Sequence, residues 1–389
     1  MGNCSDFLPW LGTDVSMQIL TKLDDPADLV RASAVSRSWR EFVITNGFCK
    51  NLCLRMFSEI SMVADVMELN NGTDEVGSNS SLEWGSLKRD YRVYALLAHS
   101  FTSFRRKDCI LEAISASSTD NYPEESIDNT LEPDDRTEER ASYWSSEGEG
   151  NPAVPETLTY RLVSGLCVIT EISIQPFQAF FQFGCPIYSA KAVRFRMGYL
   201  MEPLESGSDR MDEPSASHRY IEDNFISTYV SPEFPMAQEN SLQKFKLPEP
   251  VLCIGGVLQV ELLGRVQRQE MDGLFYICVS HVKVVGRPLS PTFEVTFLDR
   301  PGKTGNCILK YNPNVERSMS PARSSEVESS LPSRLRVFRL MQRGVRGWEQ
   351  MIINALVGNV AFDGDYGSDD ELGIVADDGD YESDEELVE

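Results

Sequence analysis

Three short helices, the third containing a tryptophan, are what the first 57 residues of this 389-residue chain most plainly encode. In the first helix, Val15, Ile19 and Leu23 recur every fourth residue and Leu20 lies beside them, so one face is apolar. A unit of about 45 residues buries too little apolar surface to be stable alone. The pattern therefore predicts a small helical module that packs against another structure.

Capping residues mark the boundaries of the second and third helices. Asp25 is placed to accept hydrogen bonds from backbone N–H groups of the second helix, and Pro26 follows where a missing N–H costs nothing. Asp28 favours the positive start of the same helix. Ser36 opens the third helix, and an Asn-Gly pair at 46–47 ends it.

The order of these residues resembles the F-box, the adaptor-binding module of substrate receptors in cullin-RING ubiquitin ligases. The resemblance implies that a set of apolar side chains binds a Skp-type adaptor and, through it, a cullin-RING ligase. This set comprises Leu8, Pro9, Ile19, Leu20, Leu23, Leu29, Val35 and Trp39. Two features depart from the pattern, because residues 10–13 separate the Leu-Pro pair from Asp14 and Phe48 replaces the usual closing Trp. Helical periodicity alone would equally fit a small subdomain packed inside the protein.

Changes in composition divide the chain into five parts, and the predicted fold class is α+β. A helical stripe predicts a connecting helix at 84–110. Hydrophobic residues make up 41% of the chain, which predicts that much of it is packed. The five parts are an F-box (1–60), a loop and helical connector (61–111), a β-sandwich (112–288), extra strands with a Ser/Pro-rich linker and a basic amphipathic helix (289–360), and a disordered acidic tail (361–389).

Apolar runs separated by Pro and Gly dominate residues 112–288. Val193, Phe195 and Met197 alternate with arginines, the two-residue period of a strand with one solvated face. The polar stretch 202–224 is predicted to be a loop. Seven or eight strands of this kind predict an antiparallel sandwich. The predicted strands are 157–163, 167–174, 179–183, 190–197, 225–230, 251–263 and 274–285, with two more at 292–297 and 307–311.

The Tyr-Trp-Ser-Ser sequence at 143–146 resembles the opening of galactose-binding-like (discoidin-type) jelly-roll sandwiches, in which a Trp-containing strand closes one end. Relatives of that fold bind sugars, lipid headgroups or protein degrons through loops at one end, and the fold alone does not choose among these ligands. The aromatic side chains of such loops here would bind a ligand or simply cap the core. The candidate loops are 122–135, 175–178, 185–188 and 229–235.

Together the two resemblances imply the substrate-recognition subunit of an SCF-type ubiquitin ligase. The F-box would bind the adaptor, and the sandwich or the C-terminal region would capture a protein substrate whose identity the sequence does not reveal. The alternative is a non-catalytic carbohydrate- or lipid-binding protein that carries an F-box-like helical module.

Motifs for catalysis, metals and cofactors are sparse. The chain has three histidines, and neither a G-x-S-x-G turn nor an H-E-x-x-H helix occurs. The nine cysteines form no C-x-x-C pair, and Cys49 and Cys53, one helical turn apart, lack further ligands for a zinc site. We therefore predict a non-enzymatic protein without cofactor or metal. Cysteines within apolar runs indicate a reducing cytosol or nucleus.

The charge and hydropathy of the chain bear on two further classes of partner. A net charge of −24 disfavours nucleic acid, and the basic run at 105–107 is typical of a solvated helix end. No run of 18 uncharged apolar residues occurs, so we expect neither a membrane span nor secretion. Met1-Gly2 resembles a myristoylation start, but Asp6 stands where that motif requires Ser or Thr.

Residues 361–389 contain 13 Asp or Glu and no Lys or Arg, a composition that predicts disorder. The sequence Asp-Tyr-x-Ser-Asp-x-Glu occurs at 365–371 and again at 380–386. Each copy resembles the acidic site of casein kinase 2, which predicts phosphorylation of its serine. The tail would either fold back onto the basic helix at 334–346 or serve only to keep the protein soluble.

Overall fold

The computed structural model of this protein describes residues 8–69, 79–102, 106–137, 140–202, 214–298 and 306–313, together with Ile352. The predicted basic helix, apart from Ile352, and the predicted acidic tail lie outside the described residues. Within the described part of the chain, no helix is both long enough and apolar enough to cross a membrane.

The first five of the described α-helices precede the sandwich, and the sixth lies within it. The helices are α1 Leu8–Leu20, α2 Pro26–Val35, α3 Arg37–Thr45, α4 Phe48–Met56, α5 Asn79–Thr102 and α6 Pro214–Asn224. The predicted caps are confirmed, since the Asp25 side chain accepts a hydrogen bond from the N–H of Ala27 at 2.8 Å and Ser36 accepts one from the N–H of Trp39 at 3.3 Å. The connector predicted at 84–110 is α5, which lies closer to the N-terminus than expected.

The strands form the second part of the fold. They are β1 Val63–Glu68, β2 Lys107–Asp108, β3 Ile110–Ala116, β4 Arg136–Thr137, β5 Arg140–Ala141, β6 Trp144–Ser145, β7 Glu156–Leu162, β8 Leu166–Gln178, β9 Ile187–Tyr188, β10 Ala190–Leu200, β11 Phe225–Val230, β12 Phe234–Pro235, β13 Gln243–Ile254, β14 Val257–Arg265, β15 Cys278–Pro288, β16 Phe293–Phe297 and β17 Cys307–Tyr311.

Two antiparallel sheets make up the sandwich. One has the order β11-β10-β14-β7-β3 and the other the order β13-β8-β15-β2. Both contribute side chains to one buried cluster, the sandwich core, which includes Leu158, Phe195 and Val260 from the first sheet and Ile169 and Val282 from the second. The α+β class with an antiparallel sandwich is therefore confirmed.

Trp144 closes the sandwich near its opening strand. Its side chain is fully buried, and its indole Nε1 donates a hydrogen bond to the Ser118 carbonyl at 3.0 Å. Its strand β6 pairs with β15 opposite Val279. The Trp144 side chain thus belongs to the sandwich core, as a buried tryptophan at this position would.

One predicted strand is two strands, and another is a loop. The stretch 251–263 turns at Gly255 and Gly256, whose φ angles of 105° and 69° are readily adopted only without a Cβ. No polar residue marks this turn, so the apolar pattern did not reveal it. Residues 179–183 lie in the loop between β8 and β9, where their apolar character does not reflect burial in a sheet.

The prediction of a loop at 202–224 was wrong for the second half of this segment, because residues 214–224 form helix α6. The helix lies against β3 of the sandwich and buries Ile221 completely. A single buried apolar residue in a polar segment produces no helical period, which is why the composition suggested a loop.

A three-stranded sheet connects distant parts of the chain. Strand β1, which the sequence did not predict, pairs in parallel with β17, and β17 pairs in antiparallel fashion with β16. The strands predicted at 292–297 and 307–311 are confirmed. Side chains of this sheet and of α1 to α5 form a second buried cluster, the helical core, which includes Leu29, Tyr94 and Leu309.

Two strands of the sandwich contribute to both cores. In β8, Leu166 and Val168 belong to the helical core, whereas Cys167 and Ile169 belong to the sandwich core. Residues 251–254 of β13 alternate in the same way. Successive side chains of a strand point to opposite faces, so a sheet buried on both faces requires continuous apolar runs such as these.

Candidate functional site

The second half of α1 has one buried face and one exposed face. Ser16 and Leu20, one helical turn apart, are buried, and Leu20 belongs to the helical core. Val15 and Ile19, also one turn apart, are 45% and 47% exposed. Residues at i and i+4 share a helix face. The exposed pair therefore forms an apolar stripe directed away from the core, which we call the α1 stripe.

Arg55 of α4 holds the turn that follows α1. Its guanidinium donates hydrogen bonds to the carbonyls of Thr21 and, at 2.7 Å, of Leu23, and it pairs with the Asp24 carboxylate at 3.1 Å. Thr21 and Leu23 follow the last residue of α1, Leu20, so the guanidinium binds the chain just beyond the helix. The end of α1 that carries the stripe is thereby fixed on α4.

Gly12 separates the first turns of α1 from the stripe. Its φ of 73° and ψ of 159° fall in a region that is essentially restricted to glycine, and the helix kinks there. Trp10, within the insertion that departs from the F-box pattern, is 80% exposed. Leu8 and Pro9 lie in the helix, but only their backbone is described, so their adaptor-binding role stays a prediction.

The structure divides the predicted adaptor-binding residues into two groups. The residues buried in the helical core or packed against it are Leu20, Leu23, Leu29 and Trp39. Ile19 and Val35 are 47% and 65% exposed and accessible to a partner. A sequence motif does not distinguish side chains that contact a partner from those that hold the helices together. Sequence reasoning did not select Val15 as a binding residue, although its spacing of four from Ile19 was the available signal.

Three side chains that could carry chemistry, those of Cys49, Cys53 and His281, are buried. Burial raises the pKa of Cys49 to about 12 and raises the pKa of Cys53 well above its ordinary value, whereas metal binding needs a thiolate. The Cys53 thiol donates to the Tyr94 carbonyl at 3.3 Å. His281 is buried, with Nδ1 3.0 Å from the Thr130 carbonyl oxygen. No group of three or more potential metal ligands is found among the residues that the structure describes.

Three of the four candidate loops meet at one end of the sandwich. The ring of Tyr143 stacks on Phe177 with centroids 3.9 Å apart, and its hydroxyl donates to the Glu125 carboxylate at 2.6 Å. Phe177 in turn pairs with Tyr188 of β9. These contacts join segments that are distant in sequence into one aromatic support.

Exposed aromatic rings extend from this support. In the β8–β9 loop, Phe180, Phe181 and Phe183 are 37%, 57% and 99% exposed, and we call this segment the aromatic loop. The centroids of Phe180 and Phe181 lie 5.9 and 6.2 Å from that of Phe177. Aromatic side chains on a rigid support are common anchors of binding interfaces.

The fourth candidate loop, 229–235, does not join the aromatic support. Phe234 lies with its ring centroid 5.8 Å from Phe195 and 5.9 Å from Phe245, and it packs against the sandwich core. For this loop the structure favours the interpretation that its aromatic side chains cap the core.

Comparison with known proteins bears first on the helical module. The model of the F-box-like family matches residues 13–55, a segment that begins directly after Gly12. An F-box protein of Arabidopsis thaliana is 53% identical over 314 residues, which cover 79% of this chain and 83% of that relative. The similarity therefore extends far beyond the helices and includes most of the sandwich.

The sandwich is similar to carbohydrate-binding modules of family 32. The module from Streptococcus pneumoniae EndoD is 9% identical with a TM-score of 0.30, covering 46% of this chain and 98% of that chain. The module from Clostridium perfringens NanJ, in complex with galactose, is 12% identical with a TM-score of 0.27, covering 45% of this chain and 98% of that chain. The sandwich fold is assigned from the strand order of the two sheets and not from these structural similarities.

Proposed function

Because this chain belongs to the F-box protein family, we propose that it is the substrate-recognition subunit of an SCF-type cullin-RING ubiquitin ligase. In this role its F-box region binds a Skp-type adaptor and the remainder of the chain holds a protein substrate, in the cytosol or the nucleus. F-box proteins are in general non-catalytic adaptors, so the chain would position a substrate lysine without performing the transfer itself.

The observation that carries the adaptor-binding part of the proposal is the α1 stripe. Val15 and Ile19 face solvent within the segment that matches the F-box-like family, on a helix fixed from its other face by Leu20. Burying the exposed half of each side chain against a partner is worth about 1 kcal/mol. A helix with a fixed orientation also loses little conformational entropy on binding.

Substitution of the stripe tests the adaptor contact. We expect Ile19→Lys, and separately Val15→Lys, to weaken binding of a purified Skp-type adaptor roughly a thousandfold, because an unpaired ammonium group in an apolar interface costs several kcal/mol. The melting temperature should not change, since both positions are exposed. Leu111→Lys is a matched control, because Leu111 is a 58% exposed apolar residue on the sandwich. Affinity should be measured by titration calorimetry.

Undiminished binding by both stripe variants would exclude the α1 stripe as the docking surface. Leu20→Lys is unsuitable for this test, because Leu20 is only 3% exposed and an ammonium group there would disrupt the helical core. Val35→Lys then shows whether the end of α2 takes part, because Val35 is 65% exposed.

We further propose that the aromatic loop takes part in substrate capture. The exposure of Phe181 and Phe183 above the packed ring of Phe177 supports this assignment. The double variant Phe181→Ser/Phe183→Ser should keep full adaptor affinity and lose substrate ubiquitylation. Proteins whose ubiquitylation falls in this variant and in Ile19→Lys, but not in Leu111→Ser, are the expected substrates.

The carbohydrate- or lipid-binding alternative is tested with the same proteins. If the unmodified protein binds glycans or vesicles through the aromatic loop and recovers no adaptor or cullin from cells, the alternative is correct. Adaptor recovery that depends on Ile19 would support the ligase role.

A further inference from the structure

A cleft lies where the helical part of the chain meets the sandwich. Its volume is about 610 Å³, within the range of ligand-binding sites. Phe57 after α4, Phe101 of α5 and Val168 of β8 supply apolar surface to its walls. Arg106 and Arg287 supply positive charge, and Glu249 is the acidic residue among its described lining residues.

Arg287 is incompletely paired in this cleft. Its Nη2 donates to the Phe101 carbonyl at 2.5 Å, while its Nε is buried without a hydrogen-bond partner in the described part of the chain. It forms no ion pair with any described residue. Burial lowers the pKa of Arg287 from its ordinary value. Because a buried donor without a partner is destabilising, the cleft suits a ligand that brings an anionic acceptor.

The chain itself returns to this region. Ile352 is fully buried in the helical core, the cluster to which the cleft residues Phe57, Phe101 and Val168 also belong. The first tyrosine of the acidic tail, Tyr366, follows Ile352 by 14 residues. A stretch of that length spans up to about 50 Å when extended, so the tail is long enough to enter the cleft.

We propose that the acidic tail binds in this cleft, with a tyrosine of one of the two Asp-Tyr motifs against the apolar wall and neighbouring carboxylates on Arg106 and Arg287. The two motifs are 365–371 and 380–386. Aromatic and acidic side chains occur together in the tail, as apolar and cationic side chains do in the cleft. The bound tail bridges the helical part and the sandwich, and any other acidic, aromatic peptide has to compete with it.

Photo-crosslinking in the full-length protein tests the contact. Benzoylphenylalanine replaces Tyr366 in one sample and Tyr381 in another, and the crosslinked residues are identified by mass spectrometry. We expect crosslinks from at least one position to the segments around Phe57, Phe101 or Arg287. The double variant Arg106→Gln/Arg287→Gln should reduce their yield about tenfold, because charge-assisted hydrogen bonds are lost.

The control variants distinguish the loss of positive charge in the cleft from a loss of folded structure. Arg161→Gln removes an arginine that pairs with Glu112 on the sandwich, outside the cleft, and should leave the crosslinks unchanged. If Arg287→Gln does not fold, Arg106→Gln alone still tests the charge, because Arg106 is exposed. Crosslinks confined to the basic segment 334–346, or crosslinks that do not depend on Arg106 and Arg287, would overturn the proposal.

Discussion

The helical core and the sandwich core differ in where their residues come from along the chain. The sandwich core draws on one continuous stretch that begins at Cys109 and ends at Val284. The helical core combines α1 to α5 with β16, β17 and Ile352, and these last three lie on the far side of the sandwich in sequence. One domain-like unit is therefore inserted within the other.

This difference shows that the F-box helices share one core with strands that follow the sandwich in sequence. Strand β1 follows the F-box helices directly, yet its partner β17 comes after the whole sandwich. Because β8 and β13 contribute side chains to both cores, the helical part and the sandwich are connected through packed side chains as well as through the chain. In the proposed role of substrate receptor, such a connection would hold the substrate-binding part in one orientation relative to the F-box.

Among the predicted variants, one that creates a cavity in the sandwich core should have the largest effect on stability. We expect Trp144→Ala to reduce the free energy of unfolding by about 3–5 kcal/mol, because Trp144 is fully buried and its removal leaves a large cavity. Chemical denaturation measures the change. Trp10→Ala is the control, since Trp10 is 80% exposed and its loss should leave stability nearly unchanged. Equal stability of the two variants would mean that the Trp-containing strand does not close the sandwich.

Removing one charge of a buried ion pair should have the next largest effect on stability. Arg265 and Glu156 form an ion pair with both side chains at most 4% exposed, and Arg265 also donates to Ser146 at 2.9 Å. Arg265→Met should cost about 3 kcal/mol because it leaves the Glu156 carboxylate buried without its partner. The exposed pair Arg31–Asp28 on α2 provides the comparison: Arg31→Met should change stability by less than about 1 kcal/mol.

If Arg265→Met/Glu156→Leu is no more stable than Arg265→Met, the cost does not come from the unpaired carboxylate.

Opening the helical core from the C-terminal side tests whether the F-box depends on distant strands. We expect Leu309→Ala to cost about 2–3 kcal/mol, because Leu309 is fully buried opposite Val66 of β1. Hydrogen exchange should show faster amide exchange in α4 and α5 than in β10. Leu111→Ala, at a 58% exposed position, is the control. Unchanged protection of the F-box helices would indicate that they fold independently of β17.

A stabilising variant gives the smallest expected effect. Gln259 of β14 is fully buried, and neither Nε2 nor Oε1 of its side chain has a partner among the described residues. Gln259→Met replaces this amide by an apolar side chain of similar size and should raise stability by about 1–2 kcal/mol. Gln175→Met should give no gain, because the exposed Gln175 amide donates to Asn240 at 3.0 Å. A destabilised Gln259→Met protein would imply an ordered water at this position.

Local features were predictable where a few neighbouring residues determine them. The caps at Asp25 and Ser36, most strands of the sandwich and the burial expected of Trp144 all follow from side-chain type and spacing. Predictions failed where the signal was weak, as in α6, or where apolar residues are exposed, as at 179–183. Of the candidate site, the sequence located α1 but did not separate the exposed Ile19 from the buried Leu20 in their roles.

The sequence by itself determined the kinds of elements and the family resemblance, because helix periods, strand periods and caps are properties of short segments. Only the tertiary structure decided that β1 and β17 pair in parallel, that β8 and β13 serve two cores, and which adaptor-binding candidates face solvent. These features depend on contacts between segments far apart in the chain. Such contacts follow from how the whole molecule buries its apolar surface, and no local pattern records them.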